Sequence, residues 1–128
     1  YAHHPTEIKV VLEGVNKVYQ GYKKVCVFQP HRISRLRDLR KEFSLAFQNA
    51  DEVILCPIYT AGEKLKLGFS YKNFAKEIIR NSKVRLFLVN DFNQLAEFIK
   101  KNIYGKKIVI GMGAGSISNW MRKLPQLM

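Results

Sequence analysis

The chain has no run approaching the roughly 20 apolar residues that a membrane-crossing helix needs, which excludes a helical bilayer span. It has no charged opening segment followed by an apolar stretch, which excludes a secretory signal. It has no GxxxxGK[ST] motif anywhere, so these residues by themselves lack a phosphate-cradling loop for nucleotide triphosphate cleavage. Its two cysteines, Cys26 and Cys56, show no CxxC spacing and each lies in an apolar run. They read as buried small hydrophobes, not as a disulfide framework, and a reducing cytoplasmic setting is the expectation. The three histidines His3, His4 and His31 have no regular ligand spacing and no companion thiolate or carboxylate set, so no metal is expected. Ser34 and Ser116 have no placeable His and Asp partners for nucleophilic catalysis.

Acidic residues are scarce as well. Ten Asp and Glu stand against 22 Lys and Arg, a formal net charge of +12. A basic polyanion-binding module is one class compatible with that charge. The lysines are scattered over every predicted helix and turn, however. Lys23-Lys24, Lys100-Lys101 and Lys106-Lys107 flank the ends of elements, as solubilising residues do. No specific nucleic-acid partner is expected.

What is present is an alternation of two periods. Ile8, Val11, Leu12, Val15 and Tyr19 share one face of a helix over 5–19, with Gly21 as its stop. Residues 24–29 form a short apolar strand. Ser34 is placed to cap a helix in which Leu36, Leu39, Phe43, Ala46 and Phe47 point one way, with Arg37, Arg40 and Lys41 solvated opposite. A strand follows over 52–57, then a long loop over 58–70. A helix over 71–81 buries Phe74, Ile78 and Ile79, and a strand spans 84–89. Asn90 or Asp91 caps a helix burying Leu95, Ala96, Phe98 and Ile99. The last strand spans 107–110. Gly111 to Gly115 turn into a short helix over 117–123, ahead of Pro125.

Continuously apolar strands are those covered on both faces, and strands alternating with helices argue for a parallel sheet. The expected fold is α/β, a Rossmann-like, mostly parallel sheet of at least four strands flanked by helices, in a single domain over 1–128. In such sheets ligands sit beyond the carboxyl ends of the strands. Polar clusters fall there at 30–35, 57–63 and 111–116.

Two clusters predict an anion site. Tyr1-Ala2-His3-His4 stands directly before Pro5, a residue suited to the first helical turn, where free N–H groups and the dipole favour anions. In Gln29-Pro30-His31-Arg32-Ile33-Ser34-Arg35 a strand again ends and a His and two Arg open a helix. Guanidinium forks suit carboxylates and phosphates because they donate paired hydrogen bonds in a fixed plane. The alternative for Arg32 and Arg35 is two surface arginines. Gly111-x-Gly113-x-Gly115 follows a strand as a dinucleotide loop does, but it comes last in the chain. A tight turn with close backbone approach is its reading. Glu63, in the long loop, is placed to orient a substrate amine, but the favoured reading is a solvent-exposed turn carboxylate.

These residues also carry a resemblance. YAHHPTEI at 1–8, VFQPHRISR at 27–35, DEVILCPIYTAGE at 51–63 and GMGAGSI at 111–117 resemble the C-terminal domain of the Mur ligases of peptidoglycan synthesis. The likeness runs in order from residue 1 to about 124. It implies a third, Rossmann-like domain whose N-terminal UDP-sugar domain and central ATPase domain lie elsewhere in a longer cytoplasmic protein. The abrupt start without Met fits a fragment. The implied activity is the joining of L-alanine to UDP-N-acetylmuramate. ATP and Mg²⁺, held mainly by the central domain, would drive it through an acyl phosphate. By motif match, Arg32 and Arg35 would hold the alanine carboxylate or the anionic intermediate. Tyr1 and His3 would line the ATP and amino-acid side of the cleft, and His31 would stand adjacent. The fragment by itself is expected to be inert. The neighbouring branch, a murein peptide ligase that recycles tripeptide, tends to carry Phe where this chain has Tyr1. Ile33 departs from the family's usual aromatic, and the strand and acidic residues that normally precede Tyr1 are missing.

Overall fold

A computed structural model of the chain describes residues 4–30, 33–58, 71–102, 105–113 and 117–127. Helix α1 (Pro5–Val18) leads into β1 (Lys23–Gln29), then α2 (Ile33–Asp38), α3 (Arg40–Leu45) and β2 (Glu52–Leu55). Next come α4 (Tyr71–Ser82), β3 (Arg85–Leu88), α5 (Phe92–Asn102), β4 (Lys107–Gly113) and α6 (Ile117–Leu127). The four strands form one sheet in the order β3-β2-β1-β4, and every pairing is parallel. The expected α/β architecture is thus observed.

The two central strands are apolar along their length because both faces are covered. Residues 24–29 of β1 and all of β2 are buried. One face packs against α1 to α4 through Ile8, Leu12, Leu36, Phe43, Phe47, Phe74 and Ile78. The other packs against α5 and α6 through Leu95, Ala96, Ile99 and Ile117. Phe28 lies 5.7 Å from Phe43 and 5.2 Å from Phe47 between ring centroids, so aromatic contacts join β1 to the α3 layer. Strand β3 stands at an edge and is only partly covered.

Several local expectations are corrected. In α1 only Ile8 and Leu12 of the predicted face are fully buried; Val11 and Tyr19 are exposed, because the helix touches the sheet layer along a narrower stripe. The second predicted helix is two. Its turns part at Leu39, whose ψ of 25 departs from helical geometry, although Phe43 N still donates to Leu39 O at 2.9 Å. Ser34 lies inside α2 rather than ahead of it. Arg40 is not free on the solvent face; its Nε meets Glu77 Oε2 at 2.8 Å. Ile79 is exposed, one position past the buried stripe of Phe74, Ala75 and Ile78. Strand β4 runs through Gly113, and α6 continues past Pro125. Asp91 is the cap of α5, its Oδ1 accepting from Gln94 N at 2.8 Å.

Two lysines placed by composition on the surface are not there. Lys24 is buried, and its backbone N donates to Asp51 Oδ2 at 2.8 Å. Lys107 Nζ reaches across β1 to Glu52 Oε1 at 3.3 Å, at the amino-terminal end of the sheet. For Lys107 an opposite-sign partner drew the ammonium away from solvent.

Candidate functional site

Strand order locates the crevice. From β1 the chain steps outward to β2 and β3, then returns so that β4 lies on the other side of β1. Helices following β1 belong to one face of the sheet and α6, following β4, to the other. The direction therefore reverses between β1 and β4, and open α/β sheets bind ligands beyond the carboxyl ends at such a switch point. Gln29 and Gly113, register partners, are the last residues of the two strands there.

Gly113 explains why the glycine run is needed. Its φ is +129, and a β-carbon built on it would stand 2.2 Å from Gln29 O. The close backbone approach expected from the glycines occurs at Gly113 within the strand pair, and residues 114–116, where the turn is expected, lie outside the described residues. Gly111 is also closely packed, against Met121 of α6.

Gln29 is a residue that the pattern of charges did not single out. It is buried at the crevice floor. Its Nε2 donates to Pro57 O at 3.2 Å and its Oε1 accepts from Ile117 N at 2.9 Å. One amide thus joins the exits of β1 and β2 to the first residue of α6. The available sequence signal was a polar residue closing an otherwise apolar strand. Just beyond β2, Tyr71 of α4 donates its hydroxyl to Cys56 O. Burial pushes the Tyr71 phenol well up, with the neighbouring Cys56 adding to the effect.

Of the five site residues inferred from sequence, Arg35 is described and Tyr1, His3, His31 and Arg32 lie outside the described residues, as does Glu63. Arg35 sits in α2, the helix that follows β1 at the crevice. Its side chain is partly buried, and its Nη1 is a buried donor with no hydrogen-bond partner among the described residues. Buried polar groups are nearly always satisfied, so an open one calls for an explanation, whether strain, a functional role or a water or ion.

The mouth of α1 differs from the expectation of free N–H donors. His4 Nδ1 accepts from Thr6 N and Glu7 Oε1 accepts from His4 N, both at 3.2 Å. This reciprocal capping box occupies two of the groups an anion would use. A groove of about 530 Å³ between α1 and α3, lined by Pro5, Val10, Glu13, Glu42, Leu45 and Gln48 among others, includes neither Arg35 nor Gln29. Among the described residues no three His, Cys, Asp or Glu side chains gather as metal ligands would. No described helix is long and apolar enough to cross a membrane.

Residues 1–115 match the Mur ligase, glutamate ligase domain family. A UDP-N-acetylmuramate–L-alanine ligase of Pelagibacter ubique (strain HTCC1062) is 70% identical over 127 residues, covering 99% of this chain and 27% of that protein. One from Campylobacter jejuni (strain 81-176) is 39% identical over 131 residues, covering 96% of this chain and 28% of that protein. Among solved structures, the UDP-N-acetylmuramate–alanine ligase of Thermotoga maritima superposes with a TM-score of 0.74 at 26% identity, covering 98% of this chain and 25% of that one. A murein peptide ligase of Psychrobacter arcticus superposes with a TM-score of 0.75 at 14% identity, a likeness of fold, over 99% of this chain and 26% of that one. The chain spans about a quarter of the length of the relatives it matches.

Proposed function

This chain belongs to the Mur ligase family, as its glutamate ligase domain, and we propose that it is the third, amino-acid-binding domain of an ATP-dependent ligase that joins L-alanine to UDP-N-acetylmuramate. The relative at 70% identity across the chain supports that choice of substrate pair. The observation that carries the chemical role is the unpartnered, buried Nη1 of Arg35 on the helix following β1.

A planar guanidinium held partly buried at the crevice is suited to a carboxylate or to a tetrahedral oxyanion. Held by Arg35, with Arg32 one turn earlier in sequence, the alanine carboxylate would orient the amine toward an activated muramyl carbonyl. Fixed positive charge there is worth more than in water, because the donors need no reorganisation when negative charge develops. Tyr1, His3 and His31 are assigned to the same cleft, Tyr1 and His3 toward the ATP side.

ATP, when bound, would supply the phosphoryl group that activates the muramyl carboxylate, with Mg²⁺ as its counter-ion. Apart from Tyr1 and His3, assigned to the ATP side of the cleft, this chain offers no motif that would hold either group. No phosphate loop is present, and no acidic cluster is found among the described residues. Both are therefore assigned to a central domain outside this chain, and the fragment by itself is assigned no turnover.

The test is phosphate release by the full-length parent with ATP and UDP-N-acetylmuramate, comparing L-alanine with the tripeptide L-Ala-γ-D-Glu-meso-diaminopimelate. Turnover with alanine is expected. Turnover with the tripeptide alone would move the protein to the recycling branch, and no turnover with either would overturn the ligase reading.

A further inference from the structure

We infer that Gln29 is a positioning residue for the amino-acid crevice, an internal clamp that holds together the three chain segments meeting at the switch point. This deepens the ligase reading and rests on it. Three observations carry it. Gln29 is the last residue of β1, one of the two strands flanking the crevice, and its side chain is buried. Its two amide ends are both engaged, on Pro57 O beyond β2 and on Ile117 N at the start of α6. Its own backbone oxygen lies where any side chain on Gly113 would have to go, so β4 closes directly against it.

The partners chosen are informative. Ile117 N–H is one of the first-turn donors of α6 that no helical carbonyl can satisfy. Such donors are usually capped by a residue just ahead of the helix. Here the acceptor comes from a residue 88 positions away in the chain. A local cap would hold α6 by itself; this one holds α6 relative to β1. In chain order β1 is followed by α2, which carries Arg35. The amide thus fixes the α6 start relative to the end of β1. It also pins the segment leaving β2 to the same point. A side chain with one donor end and one acceptor end can satisfy a carbonyl and an N–H at once, which neither a carboxylate nor an apolar residue can do.

If the clamp sets crevice geometry, its loss loosens amino-acid binding more than it lowers stability, since misplacement of about an ångström can cost on the order of 100-fold in rate. The experiment uses the full-length ligase carrying Gln29→Met, which keeps length and apolar packing and removes both hydrogen bonds. Melting temperature and Michaelis constants for L-alanine and ATP are measured together. A folded variant whose KM for L-alanine rises by about tenfold or more, with KM for ATP unchanged, is the expected result. An unchanged alanine KM, or a fall confined to kcat through a smaller active fraction, would overturn the inference. Should the Met variant not fold, Gln29→Asn, which keeps the amide but shortens its reach by one methylene, takes the same measurements. Unfolding of both would overturn the inference by making Gln29 a residue of stability alone. Absence of alanine-dependent turnover in the wild type would instead defeat the ligase reading, so the two failures are distinguishable.

Discussion

A β-carbon on Gly113 would lie 2.2 Å from the carbonyl oxygen of Gln29, its register partner on the neighbouring strand. No rotamer change can relieve that contact, because the obstructing atom is backbone, and the φ of +129 adds strain for any L-residue. Gly113→Ala is expected to destabilise the fold by about 2–4 kcal/mol. At Gly111 the obstruction is the side chain of Met121, which can swing aside. Gly111→Ala should cost roughly 1 kcal/mol, and less in a Met121→Ala background. Urea midpoints of the three variants check this; equal losses at both glycines would refute it.

Lys107 and Glu52 clasp the opposite end of the sheet at 3.3 Å, with side-chain exposures of 14% and 6%. Lys107 Nζ also donates to Asn102 O at 2.9 Å. Removing one member leaves the other charge poorly compensated in a desolvated place, so Glu52→Leu should cost about 3 kcal/mol. Replacing both with Leu should recover most of that loss, since a buried ion pair and an apolar pair of similar volume are often near equal. Chemical denaturation of the single and double variants decides; a double variant as weak as the sum of the singles would contradict it.

Lys83 adopts a φ of 56 just after α4, with its N–H donating to Ile79 O at 3.0 Å. That is a left-handed helix ending at a position glycine fills without strain. Lys83→Gly should therefore raise stability by about 0.5–1 kcal/mol, although glycine loosens the unfolded chain. A lowered thermal midpoint would show that the lysine side chain contributes more than its backbone strain costs.

Arg35 presents a buried donor without a partner among the described residues. In the proposed full-length ligase, Arg35→Ala is expected to cost about 2–4 kcal/mol of transition-state stabilisation, and Arg32→Ala a similar amount. Arg35→Lys should recover little, because an ammonium cannot reproduce the paired geometry. Steady-state kcat/KM with L-alanine measures it; wild-type values in the alanine variants would remove these residues from the site.

Burial pushes the Cys56 thiol up to about 12 and raises Cys26 further, with Cys56 adding to the shift at Cys26. In the unfolded chain these thiols ionise from about pH 8.5. Above that pH the unfolded state binds fewer protons than the folded one, so stability falls as pH rises, by about 1.4 kcal/mol per unit for each thiol. The contribution is fully present below pH ~8.5 and is lost progressively until the folded Cys56 itself ionises near about 12. Urea midpoints of wild type and Cys56→Ala between pH 8 and 10.5 should diverge in slope, wild type falling more steeply. Parallel slopes would mean that the thiol is not protected.

Much of the fold was legible because burial writes itself into residue type. Val25 to Phe28 and Val53 to Leu55 read as doubly covered strands and are so. A cap was expected at Asn90 or Asp91, and Asp91 supplies it. Misreadings fell where a partner distant in sequence decided the outcome. Arg40 is drawn to Glu77 and Lys107 to Glu52, pairs separated by 37 and 55 positions. The proposed site stood in the sequence as a motif and as a charge type. His31-Arg32-Ile33-Ser34-Arg35 announced guanidinium groups at a strand-to-helix corner, whereas Gln29, neutral and single, carried no pattern to mark it.

From the residues alone came the element types, the parallel α/β class and the family resemblance, because these depend on local periodicity and on motifs that are contiguous in the chain. The order β3-β2-β1-β4, the crevice between β1 and β4, the buried open donor of Arg35 and the Gln29 clamp were decided only by tertiary structure. Each of these depends on which surfaces are desolvated together, and an amide that joins Pro57 to Ile117 across the molecule has no period for a sequence to display.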